Sequence, residues 1–151
     1  MKHVVECLVM LCAVCLLLGC SFGPPKPDGF PKDIVPCVLT FTQEGQPLSE
    51  AIISLVPDSE DARNWSAGGM TKGDGTVKVY TYGKWEGIPL GTYKIIVVKS
   101  TVEDRPGGRE VVIHLVNTDL MDAKTTPLTL EVKGKTAQTF EVGPAPARSG
   151  R

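Results

Sequence analysis

The sequence predicts an all-β protein, a Greek-key β-sandwich of about seven strands. Three observations predict this class. Short runs alternate between apolar and polar side chains, which is the two-residue period of a strand with one buried face. Turn signals rich in glycine and proline separate these runs at intervals of about 8–12 residues. Beyond residue 33, no stretch of about ten or more residues has the 3.6-residue period of an amphipathic helix.

The first strands follow from the alternation in the sequence between residues 37 and 57. Cys37, Leu39 and Phe41 share one face of a strand, and the turn signal EGQP follows at residues 44–47. The run AIISLVP at residues 51–57 alternates again until its proline, which cannot donate a backbone hydrogen bond to a continuing ladder. We therefore expect two strands joined by a tight turn.

The middle of the domain contains a strong turn signal. Residues 72–75 read KGDG, and a short strand is expected just before them at residues 68–71. Asp74 and Gly75 tolerate positive φ, which is what a tight β-hairpin requires. We expect these two residues to have a structural role in a hairpin that leads into a strand at residues 77–82.

A tyrosine follows a second Pro/Gly turn, at residues 87–91. Tyr93 lies two residues after Gly91, at the start of a strand. This position suits a tyrosine whose ring is buried and whose hydroxyl bonds to backbone across a Greek-key corner, so Gly91 and Tyr93 are expected to be structural. Apolar Ile96 and Val98 on the opposite face predict that this strand is covered on both sides.

The last part of the domain contains three apolar runs. Residues 111–116 form the first, which fits either a strand of the sandwich or part of a loop. The alternating runs at residues 128–132 and 140–142 predict the final strands of the sandwich.

The N-terminus has the pattern of a segment that is removed after export. Residues 7–18 are apolar but too short to span a bilayer as a helix, which needs about 20 residues. Such a length is typical of a secretory signal peptide. The residues Leu17-Leu18-Gly19-Cys20 resemble the bacterial lipobox. This resemblance implies lipidation of the Cys20 thiol, cleavage before Cys20, and attachment to a membrane through acyl chains such as palmitate. Ser21 in the next position favours the outer membrane, on its periplasmic face or at the cell surface.

The chain therefore divides into a signal peptide (1–19), a Pro/Gly-rich tether (20–33), one β-sandwich domain (34–143) and a disordered tail (144–151). The formal net charge is −1, and no block of like charge occurs, so the sequence gives no electrostatic basis for binding nucleic acid. Of the five cysteines, only Cys37 follows the lipobox, so an intramolecular disulfide is not expected. We expect Cys37 to be a buried apolar residue on the core face of its strand.

Four segments in order resemble the carboxypeptidase regulatory-like domain, and in particular small bacterial lipoproteins built from one such domain. They read GQPLSEAIISLVP (45–57), TKGDGTVKVYTYG (71–83), GIPLGTYKIIVVK (87–99) and DAKTTPLTLEV (122–132). The resemblance implies a transthyretin-like (prealbumin-like) sandwich. Leu39, where the family often has glycine, departs from the pattern without affecting the expected fold.

The sequence shows no catalytic constellation, metal-ligand set or cofactor motif. The transthyretin-like fold includes a hydrolase of 5-hydroxyisourate, which uses several histidines, an arginine and a Tyr-Arg-Gly-Ser C-terminus. Here the chain ends ARSGR, and His114 is the only histidine after the signal peptide. We interpret His114 as a structural strand residue, because one histidine makes no catalytic set.

Exposed aromatic residues are the remaining functional signal. Tyr80 and Tyr82 have the parity opposite to Val77 in their strand and should face outward, with Trp65 and Trp85 in neighbouring loops. We name Trp65, Tyr80 and Trp85 as candidate ligand contacts, because exposed rings stack on sugars or anchor protein partners. The alternative is that these rings only seal the edge of the sandwich.

The sequence therefore favours a non-catalytic binding or accessory module that is lipid-anchored in the bacterial cell envelope and contacts a glycan or a protein partner. Two alternatives remain open, a hydrolase of the transthyretin-like type and a purely structural envelope spacer.

Overall fold

A computed structural model describes residues 25–58 and 65–146, and it confirms the all-β class. The chain divides into two units, Met1–Phe30 and Pro31–Arg151. The described residues form fourteen strands and one short 3-10 helix, Thr118–Met121. In chain order the strands are β1 (Ile34–Val35), β2 (Cys37–Gln43), β3 (Gln46–Pro47), β4 (Ile52–Pro57), β5 (Ala67–Met70), β6 (Thr76–Lys78), β7 (Tyr80–Thr81), β8 (Trp85–Glu86), β9 (Ile88–Pro89), β10 (Gly91–Val98), β11 (Ser100–Arg105), β12 (Arg109–His114), β13 (Thr129–Val132) and β14 (Thr136–Glu141).

The larger sheet has six strands in the order β13-β10-β4-β5-β7-β8, and all of its neighbouring strands are antiparallel. Its longest pairing runs along β10 and β4, from Tyr93 opposite Pro57 to Val98 opposite Ile52. The strand β4 ends at Pro57, as the sequence predicts.

The second sheet is built on β2. The strand β14 lies along one edge of β2, while β3 and β6 pair with β2 at different positions along its length. The β14–β2 pair is parallel, with Thr136 opposite Cys37 and Glu141 opposite Thr42. Alternation in the sequence predicts both strands but contains no information on this parallel pairing.

The chain passes from one sheet to the other at Val79. The strand β6 pairs with β2 in the second sheet, and β7, which begins one residue after Val79, pairs with β5 in the larger sheet. The Val79 N–H donates to the Cys37 carbonyl and the Val79 carbonyl accepts from the Gly87 N–H, so its backbone is bonded on both sides. Val79 itself is fully buried. This switch links the two sheets along one side of the sandwich.

Apolar side chains from both sheets meet in a single core. The predicted alternation holds on β2, where Cys37, Leu39 and Phe41 are buried, and the Phe41 ring stacks on Phe140 of β14 at 5.5 Å between centroids. The expectation that β10 is covered on both faces is wrong. Ile96 and Val98 are only half-buried, and Ile52, which is opposite Val98 on the neighbouring strand, is 54 % exposed, so this face is not fully covered.

The apolar run at residues 111–116 is divided between two environments. Residues 111–114 belong to β12, which pairs only with β11 in a separate two-stranded hairpin. Val116 follows the hairpin and is fully buried in the core. The base of the hairpin is tied to β2, since the Gln43 side-chain amide donates to the Leu115 carbonyl at 3.0 Å.

Residues 25–33 contain no strand, which agrees with the composition of the predicted tether. Within this segment the Lys26 ammonium lies 5.0 Å from the centroid of the Phe30 ring. None of the described residues belongs to a helix long and apolar enough to cross a membrane.

Candidate functional site

Three aromatic side chains form a cluster beside the β7–β8 hairpin. The Tyr82 ring lies 5.4 Å from the Trp65 ring and 6.3 Å from the Trp85 ring, measured between centroids. Both contacts are edge-on, with interplanar angles of 74° and 73°. Such T-shaped contacts match the positive edge of one ring to the negative face of another. We call Trp65, Tyr82 and Trp85 the aromatic cluster.

Tyr82 is the central ring of the aromatic cluster and occupies an unusual backbone conformation. Its φ is +51°, and that of the following Gly83 is +66°. Tyr82 is the first residue of the three-residue loop 82–84, which joins the paired residues Thr81 and Trp85. Glycine, asparagine or aspartate is the usual residue at a positive φ of this kind. A bulky side chain there costs about 1–2 kcal/mol relative to the right-handed region. Glu44 and Glu50 also have positive φ, at +51° and +55°. Tyr82 differs from them because its side chain is aromatic and lies between two indoles.

Backbone hydrogen bonds hold the turn in place. The Tyr82 N–H donates to the Ser66 carbonyl at 2.7 Å, and the Lys84 N–H donates to the Thr81 carbonyl at 3.2 Å. Below the turn, Thr81 is fully buried, and its hydroxyl donates to the Gly87 carbonyl at 2.8 Å. The Tyr82 ring is therefore presented from a fixed frame rather than from an open loop.

Tyr80 lies apart from the aromatic cluster, and this corrects the expected grouping of Trp65, Tyr80 and Trp85. Trp85 is directly opposite Thr81 in the β7–β8 ladder, whereas Tyr80 is opposite Glu86. Because neighbouring residues of a strand point to opposite faces, Tyr80 and Trp85 face opposite sides of the hairpin. Tyr80 shares its side with an ion pair, in which Lys78 and Glu86 approach to 3.4 Å.

Exposure also differs among these rings. Tyr82 is 45 % exposed, whereas Trp65, Tyr80 and Trp85 are half-buried. Together, the aromatic cluster offers one solvent-facing ring flanked by two partly covered indoles. Rings arranged in this way can stack on the apolar face of a sugar or receive an apolar side chain of a partner.

The sequence pattern singled out the two tryptophans but placed the wrong tyrosine between them. The strand alternation assigned Tyr80 and Tyr82 the same outward direction. Tyr82 is exposed as expected, but β7 ends at Thr81 and the Tyr82 backbone is left-handed, so strand alternation does not relate its direction to that of Tyr80. The Tyr82–Gly83 dipeptide between two short strands is the signal that could have revealed the turn.

The structural roles predicted for Tyr93 and Gly91 agree with the geometry. Tyr93 is 4 % exposed, and its hydroxyl donates to the Pro89 carbonyl at 2.8 Å. Burial, together with the nearby Cys37 thiol group, raises the pKa of Tyr93 to about 12, so the phenol stays a donor at neutral pH. Gly91 has a φ of +148° at the start of β10.

The KGDG turn reverses the chain as expected, but it is not part of a simple hairpin. The strand before it, β5, pairs with β4 and β7, whereas the strand after it, β6, pairs with β2. The Asp74 carboxylate accepts hydrogen bonds from the Thr76 backbone N–H and hydroxyl, which lowers the pKa of Asp74. Gly75 has a φ of +77°, as predicted, and a Cβ there would lie 2.4 Å from the Phe41 carbonyl oxygen.

Cys37 is 2 % exposed on the core face of β2, as predicted. Burial raises the pKa of its thiol to about 11, so the reactive thiolate is scarce at neutral pH. Cys20, the predicted lipid attachment residue, lies outside the described residues.

Within residues 25–58 and 65–146, no group of three or more His, Cys, Asp or Glu side chains is arranged to hold a metal ion. His114 lies at the end of β12 and is exposed to solvent. Its cross-strand partner is Ser100.

Comparisons with known proteins do not identify a family. No family model matches this chain, and no curated protein matches it. Among solved structures, a 9R-lipoxygenase from Cyanothece PCC8801 is similar over 81 % of this chain and 17 % of its own, with a TM-score of 0.36 and 13 % identity. A likeness this distant carries no argument about activity.

Proposed function

We propose that this protein is a non-catalytic binding module of the bacterial cell envelope, anchored by a lipid on Cys20, whose ligand contacts the aromatic cluster. One observation carries the binding proposal. Tyr82 keeps a large ring in a backbone conformation that favours asparagine or glycine, and the residue is 45 % exposed. A residue that only had to close the turn would avoid this conformational cost.

The chemistry of the aromatic cluster favours a ligand with a flat apolar face and polar edges. Aromatic rings supply large contact area at low conformational cost, and the phenol adds a hydrogen-bonding group at the rim. Lys84, an exposed cation, lies in the same turn as Tyr82. A cell-envelope glycan fits this combination, and an exposed segment of an envelope protein is the second candidate partner.

The family proposal rests on where the four resembling segments lie. Three of them span turns that set the fold, including the KGDG turn and the Gly91–Tyr93 corner. We therefore also propose a carboxypeptidase regulatory-like domain of transthyretin-like topology. The envelope location rests on the lipobox-like residues before Ser21.

The binding proposal is tested by replacing Tyr82 with asparagine. This change removes the ring but suits the positive φ at residue 82, which asparagine tolerates, so the free energy of unfolding is expected to stay constant or rise. The chain has two tryptophans, Trp65 and Trp85, and both belong to the aromatic cluster. Their fluorescence therefore reports directly on binding when soluble fragments of cell-envelope polysaccharide are titrated against the protein.

Tyr80→Asn is the matched control, since Tyr80 lies in the same hairpin on the opposite side. We expect saturable fluorescence changes in wild type and in Tyr80→Asn, and their loss in Tyr82→Asn. If only Tyr80→Asn abolishes the response, the site lies on the other side of the hairpin. If no polysaccharide fragment or envelope-protein extract changes the wild-type signal, the envelope-spacer alternative replaces this proposal.

A further inference from the structure

The hairpin of β11 and β12 extends the molecule outside both sheets. Its register runs from Ser100 opposite His114 to Arg105 opposite Arg109. Among the strands of the described chain, none pairs with either of its outer edges. Every residue of β11 is exposed. A two-stranded hairpin in water is marginally stable on its own and gains from packing against another surface.

One face of this hairpin is fully exposed and carries an apolar centre. Val102 and Val112 are directly opposite each other, and each is 56 % exposed. The opposite face is different, because Val111 and Ile113 there are half-buried. We call the exposed face the hairpin outer face, and side-chain alternation assigns to it Ser100, Val102, Asp104, Glu110, Val112 and His114.

The hairpin outer face consists of three cross-strand rows of different chemistry. Ser100 and His114 form a row of hydrogen-bond donors, the two valines form the middle row, and Asp104 and Glu110 form an acidic row. Like charges directly opposite each other are unfavourable. The ion pairs of the described chain involve other residues, so neither Asp104 nor Glu110 forms a salt bridge with a basic side chain of that part of the chain.

Two copies of the hairpin outer face are complementary to each other when the order of rows in one copy is reversed relative to the other. A second copy can be placed on the hairpin outer face by a two-fold axis that crosses the strands at the valine row. Val102 and Val112 then meet their own counterparts, and each acidic row meets the donor row of the other copy. The alternative two-fold axis, along the strands, would place Asp104 on Glu110 and add repulsion. Both arrangements bury the valine row, and charge selects the one with the axis across the strands.

We infer that the hairpin outer face is the contact surface for a second copy of this chain. The contact is isologous, with Glu110 of each copy facing His114 of the other. A stable interface buries about 800 Å² on each partner. Three cross-strand rows bury less than this, so the dimer is weak and reversible. This inference is independent of the proposed function, because it uses no residue of the aromatic cluster.

Disulfide trapping tests the central contact in the full-length chain. The two-fold axis brings position 112 next to its counterpart, so Val112→Cys should give a disulfide-linked dimer under mild oxidation. Thr101→Cys is the control, because Thr101 lies on the other face of the same hairpin. The wild-type chain gives the background from its own cysteines. Equal crosslinking of the two variants, or crosslinking of neither, would overturn the inference.

A charge exchange tests the orientation of the two copies. In Glu110→Lys the new lysine faces His114, and in His114→Glu the new glutamate faces Glu110, so each variant alone should dimerise less than wild type. In a mixture, the new lysine of one chain faces the new glutamate of the other. Sedimentation velocity should show the mixed pair associating about tenfold or more tightly than either variant alone.

Both substitutions are at exposed strand positions, and circular dichroism checks that each variant is folded. A mixture that associates no more tightly than its components contradicts the proposed orientation. A wild-type chain that stays monomeric up to millimolar concentration contradicts the interface itself.

Discussion

At the scale of single residues, Tyr93 combines ring burial with a hydroxyl bond to the Pro89 carbonyl. Tyr93→Phe keeps the ring and removes the bond, which leaves the carbonyl without this donor. We expect the free energy of unfolding to fall by about 1 kcal/mol, the net contribution of a typical hydrogen bond. Urea denaturation measures the change. The control is Tyr80→Phe, on the side of the β7–β8 hairpin opposite to Trp85. Equal effects of the two substitutions would contradict the role assigned to the Tyr93 hydroxyl.

Cys37 should resist thiol reagents while the protein is folded. Its side chain is buried, and its pKa of about 11 leaves little thiolate at pH 8. We expect slow alkylation under native conditions and fast alkylation in denaturant. Mass spectrometry of the peptide that contains Cys37 separates this thiol from the others. Similar rates in the two conditions would show that the thiol is accessible.

Asp74 should make the stability of the protein depend on pH in the acidic range. Hydrogen bonds from Thr76 lower its pKa below 3.8 in the folded state, so the folded protein binds this proton less readily than the unfolded chain. The stabilisation is present above pH 3.8 and is lost as pH falls through the lowered pKa. We expect Asp74→Asn to lose less stability than wild type between about pH 5 and pH 2, measured by urea denaturation at each pH. Parallel curves for the two proteins would contradict this assignment.

At the scale of structural elements, the KGDG turn and the turn after β2 contain glycines with nearly the same backbone but different surroundings. Gly75 and Gly45 have φ angles of +77° and +74°. A Cβ on Gly75 would meet the Phe41 carbonyl oxygen at 2.4 Å, whereas nothing lies within 4 Å of a Cβ on Gly45. Gly45→Ala should cost about 1 kcal/mol from the positive φ alone.

Gly75→Ala should cost several times as much, because the backbone of β2 must also shift. Thermal denaturation of the two variants compares these costs directly. The Phe41 N–H donates a hydrogen bond to the Gly75 carbonyl at 2.9 Å, which holds β2 against the turn. Equal melting temperatures would contradict this tight contact between β2 and the turn.

Local patterns in the sequence predict most strands but not their partners. The alternation at residues 37–41 and 51–55 correctly assigns the buried face, since a two-residue period is a local property. The switch between sheets at Val79 depends on contacts with Cys37 and Gly87, which alternation does not encode. The aromatic cluster shows the same limit, because the position of its central Tyr82 ring depends on a left-handed backbone that alternation does not encode.

At the scale of the whole molecule, our proposal places the protein at a membrane through a lipid on Cys20. Cys20→Ser removes the thiol that the lipobox-like pattern would lipidate, and anchoring of this kind needs covalently attached acyl chains. We expect the variant to be released from membranes or to remain unprocessed, as shown by fractionation and by the mass of the chain. A variant that is processed normally and stays in the membrane fraction would contradict lipid anchoring at this residue.

The parallel pairing of β2 with β14 determines how the molecule responds to mechanical load. The N-terminal end of β2, at Cys37, and the C-terminal end of β14, at Glu141, are at opposite ends of the same ladder. A force that draws the two ends apart acts along the strands, so the hydrogen bonds between them are loaded in shear. They then resist together, whereas an antiparallel pair of terminal strands would be peeled open one bond at a time.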